Sequence, residues 1–411
     1  MRGRLLFLCL LLALFNVPAV AQIGLVVQLP PTANIAAVAL HANGAVVDVI
    51  PEANQFLLSV PAAPSHLADT DVRWMELNQG ATLPSAPHAR YLQVAPNTAP
   101  GWYKTQPALA LTNLGGALTY STGRGVVVAD INSRVDTSHW ALIGHLLPEQ
   151  DFVSVRPNGV TALNESSASY LDESSASYLD QSSASYLDES SASYLDESSA
   201  SYLDGRNPAY AHGTLVAGIL TVVAPGAMIW PLRAFDDNGS SDTWMIAKAI
   251  RYAVNHGAQV INLSLGSEVN SAVLRSAVDY ALDHNVTVTA SAGNKNSFAP
   301  QYPAGYSGVI AAAATNLLDV KAPFSNFGAD VSFTAPGVNI ISAAPGNLYA
   351  IVNGTSYAAP IIAGTAALLR EQASTGVASR IAVINIDAKN PLYAGQLGRG
   401  RVNILKSVQP Q

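Results

Sequence analysis

The chain has 411 residues, 49% of them hydrophobic and 12% charged, against roughly 25% charged in ordinary soluble domains, which excludes intrinsic disorder over most of its length. Its single cysteine, Cys9, falls in an N-terminal apolar run, so the body has no disulfide, thiolate nucleophile or cysteine metal site. The net charge of −7 arises in one acidic insert, and outside it 19 acids face 21 bases, which excludes the basic footprint of a nucleic-acid binder and a polybasic membrane patch.

Arg2 and Arg4 precede the apolar run Leu5 to Phe15, and Ala19-Val20-Ala21 supplies a small-x-small cleavage pattern. This predicts a signal peptide over residues 1–21 and a secreted product, extracellular or periplasmic. The run is short for a span of about 20 residues, so no stable membrane anchor is expected. Residues 22–80 read as a small α+β module. Strands are predicted at Ile23 to Leu29, Val46 to Ile50, Phe56 to Val60 and Val72 to Leu77, with a helix at Ala33 to Asn43 and a helical turn at Ser65 to Ala68. Residues 81–106, rich in proline, read as a linker.

From 107 to 411 strands and helices alternate. The predicted strands are Gly125 to Ala129, Met228 to Pro231, Val260 to Leu265 and Val286 to Ala290. The predicted helices are His212 to Val223, Asp242 to His256 and Ser271 to His284. The pattern predicts an α/β fold with a doubly wound parallel sheet, whose ligands sit at the carboxyl ends of the strands. Between residues 165 and 204 the octapeptide Glu-Ser-Ser-Ala-Ser-Tyr-Leu-Asp occurs five times in tandem, with Gln181 opening the third copy. A period of eight matches no heptad or solenoid, and the insert reads as a solvated addition to a surface connection.

Three residues at predicted element ends carry the chemistry. Asp130 follows a strand, His212 opens a helix, and Ser356 lies in Gly354-Thr355-Ser356-Tyr357-Ala358-Ala359-Pro360 before another helical run. A serine hydroxyl needs an imidazole to take its proton, and the imidazole needs a carboxylate to fix its tautomer. At these residues the sequence resembles the subtilisin-like serine peptidases. The resemblance rests on His212-Gly213-Thr214, Asn262-Leu263-Ser264-Leu265-Gly266, Ser291-Ala292-Gly293-Asn294 and the Ser356 motif, with Phe324-Ser325-Asn326-Phe327-Gly328, Ala335-Pro336-Gly337 and Gly398-Arg399-Gly400-Arg401-Val402-Asn403 in support.

The resemblance implies endopeptidase activity through an acyl-enzyme. Ser356 is then nucleophile, His212 general base and then acid, Asp130 its orienting acid, and Asn294 the side-chain donor of the oxyanion hole. It also implies peptide binding along Ser264, Leu265 and Gly266, with Ala290, Ser291 and Ala292 near the specificity pocket. No cofactor is implied; structural calcium is common in such relatives, but the sequence offers no identifiable ligand set. Partners are a protein or peptide substrate and the N-terminal module, which resembles inhibitory folding propeptides; no nucleic acid is expected.

One departure stands out. The family pattern is Asp, then Ser or Thr, then Gly, whereas Asp130 is followed by Ile131 and Asn132; a rival register uses Asp136-Thr137-Ser138. The departure motivates one alternative, a secreted pseudopeptidase that binds peptides without cleaving them; a second is a surface or adhesion protein displaying the acidic repeats on an inert scaffold.

Overall fold

In the computed structural model residues 22–65, 67, 72–83, 90–94, 99–155, 192–194, 208–298, 301–373 and 375–410 are described. The signal peptide lies outside the described residues, as do part of the helical turn at Ser65 to Ala68 and most of the octapeptide insert. Of the insert, Ala192–Tyr194 is described, as a strand antiparallel to Arg90–Val94.

A nine-stranded sheet forms the body. Its spatial order is Val383–Ile384, Arg401–Val402, Phe333–Pro336, Ile310–Thr315, Thr287–Ser291, Val260–Leu263, Val127–Asn132, Met228–Arg233 and Gln150–Asp151. All neighbouring pairs are parallel except the edge pair Val383–Ile384 with Arg401–Val402. The chain leaves Val127–Asn132 towards one side of the sheet and returns to its other side at Val260–Leu263. That reversal opens a crevice at the carboxyl end of Val127–Asn132, where doubly wound sheets bind ligands.

Parity along this strand decides what enters the crevice. Ala129 and Ile131 belong to the core shared with helices Thr243–Asn255 and Ala272–Asp283. Val128 belongs to the opposite core, shared with helices His212–Val223 and Thr355–Gln372. Since side chains alternate with period two, Asp130 and Asn132 share the face of Val128.

The strand ends three residues beyond the expected Ala129. Asp130, Ile131 and Asn132 pair in register with Pro231, Leu232 and Arg233, and the Asn132 carbonyl accepts from the Ala234 and Phe235 N–H groups. Asp and Asn are poor strand formers, but two flanking strands satisfy this backbone, and tertiary pairing overrides the local preference. The helices fall close to expectation: His212–Val223 is as predicted, while Asp242 and Ser271 act as N-caps, accepting from Met245 and Leu274 N–H groups, one residue before their helices begin.

The N-terminal module is an antiparallel sheet in the order Ala45–Ile50, Gln55–Val60, Ile23–Gln28 and Trp74–Leu77, with helix Ile35–His41 packed on it. The stretch read as a linker is structured in part. Gly80–Thr82 pairs antiparallel with Ser240–Asp242 of the body, Arg90–Val94 pairs with Leu348–Val352, and Gly101–Lys104 is helical.

Candidate active site

His212 starts its helix at the crevice because Gly213 follows it. A Cβ on Gly213 would lie 2.4 Å from the Ser133 carbonyl oxygen and 2.8 Å from that of Arg134, so only glycine lets the helix start pack against this strand end. The Gly213 N–H also donates to Ser133 Oγ at 3.0 Å. The imidazole is thereby buried, and its Nδ1 lies 2.7 Å from Asn132 Oδ1.

The expected direct contact between Asp130 and His212 is corrected by this geometry. The Asp130 carboxylate accepts from Asn132 Nδ2 at 3.2 and 3.4 Å and from Asn262 Nδ2 at 2.8 Å, but it does not touch the imidazole. Residues two apart on one strand face lie roughly 6.5 Å apart, so the residue nearer the strand end, Asn132, meets the ring. Asn132-Ser133 then stands where the family pattern has Asp followed by Ser or Thr, a signal present in the sequence. Asp136 is no substitute: its carboxylate accepts from Ser138 and from the Gly346 N–H in a separate turn.

Ser356 lies in the first turn of helix Thr355–Gln372, where backbone N–H groups have no helical partner. Pro360 within this helix has no N–H to offer the Ser356 carbonyl. Ser264 Oγ supplies the missing bond at 2.8 Å, and Asn262 Nδ2 donates to the same Ser264 hydroxyl at 3.0 Å. The motif's proline and the strand-end Ser264 are thus parts of one device that anchors the turn carrying Ser356. Ser356 Oγ itself donates to the Ser264 carbonyl at 3.3 Å, and the buried His212 Nε2 has no hydrogen-bond partner among the described residues. The imidazole centroid is 5.9 Å from the ring of Tyr357, next in chain to Ser356.

Asn294 is oriented by the same turn. Its Oδ1 accepts from the Thr355 N–H at 2.9 Å and from Thr355 Oγ1 at 2.7 Å. That leaves Nδ2 as a donor beside Gly354, where it would lie 3.6 Å from a Cβ. A side-chain N–H and the Ser356 backbone N–H close to one serine are what a developing oxyanion requires.

Ser264, Leu265 and Gly266 leave the end of strand Val260–Leu263, and Ala290 and Ser291 end the neighbouring strand with Ala292 just beyond. The two segments meet through Ser291 Oγ and the Leu265 carbonyl at 3.3 Å. Gln301, which the sequence reading did not single out, fills the space between them. Its amide donates to the Ser291 carbonyl at 3.3 Å, and its side chain occupies the positions that a Cβ on Gly266 or Gly293 would take.

Burial, with no charged group in contact, pushes the Asp130 carboxyl up to about 7 and the His212 imidazole down to about 3. The two act oppositely on folding. Asp130 keeps its proton in the folded state up to about 7 against 3.8 unfolded, so its contribution is complete below 3.8 and lost as pH rises to 7. His212 resists protonation down to about 3 against 6.5 unfolded, so its contribution is complete above 6.5 and lost as pH falls to 3.

An imidazole and a helix-start serine lie near one another at the switch point of a doubly wound sheet of the subtilisin-like fold class. A sequence model of the subtilase family matches residues 123–386. Thermitase of Thermoactinomyces vulgaris is 41% identical over 208 residues, which are 48% of this chain and 75% of thermitase. The chain belongs to the subtilase family.

Subtilisin Savinase of Lederbergia lenta is 40% identical over 170 residues, 39% of this chain and 63% of its own. Thermophilic serine proteinase of Bacillus sp. (strain AK1) is 41% identical over 207 residues, and the match spans about half of it, 52%. Among solved structures, fervidolysin from Fervidobacterium pennivorans, a keratinolytic enzyme related to subtilisin, has a TM-score of 0.67 over 95% of this chain and 61% of its own. At 22% identity that likeness shows the fold. With relatives of these names, the enzyme class is serine-type endopeptidase, a hydrolase. Among the described residues no helix is long and apolar enough to cross a membrane, and no three His, Cys, Asp or Glu side chains are grouped to hold a metal ion.

Proposed function

We propose that this chain is a secreted endopeptidase that cleaves peptide bonds through an acyl-enzyme on Ser356. The observation that carries the reading is the buried, unpartnered Nε2 of His212 beside the first turn of the Ser356 helix. A buried polar atom without a partner calls for an explanation, and a hydroxyl rotating from the Ser264 carbonyl towards it is the simplest. Ser356 Oγ attacks the scissile carbonyl carbon as its proton passes to Nε2. Asn294 Nδ2 and the Ser356 N–H receive the oxyanion. The C–N bond then breaks as the imidazolium returns the proton to the leaving nitrogen. Water, deprotonated by the same imidazole, releases the acid. These steps draw on protein groups and water, with no cofactor.

The N-terminal module is proposed as an intramolecular inhibitor and folding template. The Glu76 carboxylate caps helix Ala272–Asp283, accepting from the Ala272 and Val273 N–H groups at 2.7 and 2.8 Å. Asp48 accepts from Trp244 Nε1 at 2.9 Å and pairs with Lys248 at 2.7 Å. Beyond these contacts Gly80–Thr82 adds a strand to Ser240–Asp242, and the Leu83 N–H donates to the Gly239 carbonyl at 2.7 Å. A peptide substrate binding by strand addition would compete for this edge. Glu76→Ala, by leaving the Ala272 and Val273 N–H groups without this acceptor, is expected to cost about 1 kcal/mol and to hasten release of the module, read as faster processing on a gel; an unchanged rate would contradict the inhibitory role of this contact.

Gln301 is proposed to restrict the side chain accepted on the acyl side of the scissile bond to a small one, since it fills the space between Gly266 and Gly293. Gln301→Gly is expected to raise kcat/KM at least about 10-fold for substrates with a large side chain there, relative to alanine-bearing substrates. A peptide library read before and after the change measures this ratio.

The whole reading is tested by incubating the processed chain with an unfolded polypeptide and identifying new amino termini by mass spectrometry. Cleavage is expected; a correctly folded, processed chain that makes none would overturn the reading.

A further inference from the structure

The residue that meets His212 is an amide, and an amide can face an imidazole with either end. With Nδ2 towards the ring it forces the proton onto Nε2, where it blocks proton transfer from the serine; with Oδ1 towards the ring it holds the productive Nδ1–H tautomer. One neighbour that can only donate fixes the assignment, and a second agrees with it when ionised. The Ser133 backbone N–H, which can only donate, lies 2.9 Å from one amide atom of Asn132. The Asp130 carboxylate, which accepts when ionised, lies 3.2 Å from the other. The atom facing Ser133 is the one 2.7 Å from His212 Nδ1 and must be oxygen.

We propose that Asp130 is a positioning residue that locks the Asn132 amide with its oxygen towards His212, and so holds the general base in its productive tautomer without touching it. This rests on the reading of His212 as the general base. Asn262 completes the lock by holding Asp130 Oδ1 from the neighbouring strand at 2.8 Å. The arrangement replaces the direct carboxylate of the family pattern by a carboxylate–amide pair on one strand face.

The lock needs the ionised carboxylate. The groups facing Asp130 are the neutral Asn132 on its own strand and Asn262 on the next, with His212 one amide beyond. With His212 neutral down to about 3, the acid limb of kcat/KM follows Asp130, and activity rises with pH through about 7.

The test is the 15N NMR signature of the His212 ring in the processed, full catalytic body, read together with kinetics. In the unchanged protein at pH 8.5 Nδ1 is expected to carry the proton and Nε2 none. Asp130→Asn is nearly isosteric but places a donor opposite Asn132 Nδ2, so the ring is expected to shift mainly to the Nε2–H tautomer. kcat is expected to fall about 100-fold with KM within threefold. Made in an Asn132→Asp background, where a carboxylate imposes the tautomer directly, the same change is expected to cost at least tenfold less. Asp130→Leu, which removes the acceptor without adding a donor, serves if the first variant does not fold. The proposal is overturned if the tautomer is unchanged in the variants, if the unchanged protein shows Nε2–H, or if the loss is equal in both backgrounds. The tautomer is read without substrate, so an inactive protein that shows the expected ring states would refute the peptidase reading while leaving the lock intact.

Discussion

Ser356→Ala is expected to lower kcat by about 10⁴- to 10⁵-fold, less than the scale of about 10⁶ borrowed from subtilisin's own nucleophile. The members of such a unit are not additive, so the loss on removing one depends on how well the others work. Here His212 meets an amide instead of a carboxylate, and the imidazolium formed during attack has no charge in contact to stabilise it. Were the Asn132 amide free to turn, the wrong tautomer would already have cost about 100-fold more, and removing Ser356 would lose correspondingly less. A large loss therefore reports both that Ser356 is the nucleophile and that the base still works. Single-turnover kinetics on an activated ester and on a peptide measure it.

Asn132→Asp is expected to raise kcat by about 10- to 100-fold, and the two effects together recover the full scale of about 10⁶. The new carboxylate would lie in contact with Asp130, which Asn132 Nδ2 already approaches to 3.2 Å. Two carboxyl groups at that distance share one proton. Asp130, buried and already raised to about 7, is the member that keeps it, and it would donate to the new carboxylate. The charge at 132 would then face Nδ1, lift the His212 pKa from about 3 and stabilise the imidazolium. Steady-state kinetics across pH check this; an unchanged or lower kcat in a folded protein would show that the partner of His212 limits nothing.

The placement of His212, Ser356 and Asn294 around one crevice was legible in the sequence because each lies in a local motif whose reason is local. Gly213 permits the close approach of a helix start, and Pro360 frees a carbonyl for Ser264 to hold. The orienting residue was not legible in the same way. Asp130 and Asn132 share one strand face, so the period of the strand cannot choose between them. The choice depends on where the strand ends, and that is set by pairing with Pro231, Leu232 and Arg233 about 100 residues away in sequence. Chemical type favoured the aspartate, while position favoured the asparagine. Gln301 escaped notice for a related reason: it belongs to no motif, and only the fold brings it between Gly266 and Gly293. The strand Gly80–Thr82 was likewise hidden in proline-rich sequence, since its partner lies in the body.

The most direct test of serine-based acyl transfer on this scaffold is labelling of the processed, folded chain with a peptide-like phosphonate, followed by mass spectrometry of the adduct. One phosphonylated residue is expected, Ser356, with the adduct absent in Ser356→Ala and slowed in His212→Ala. Adduct on another residue, or none on a protein whose fold is intact, would contradict it.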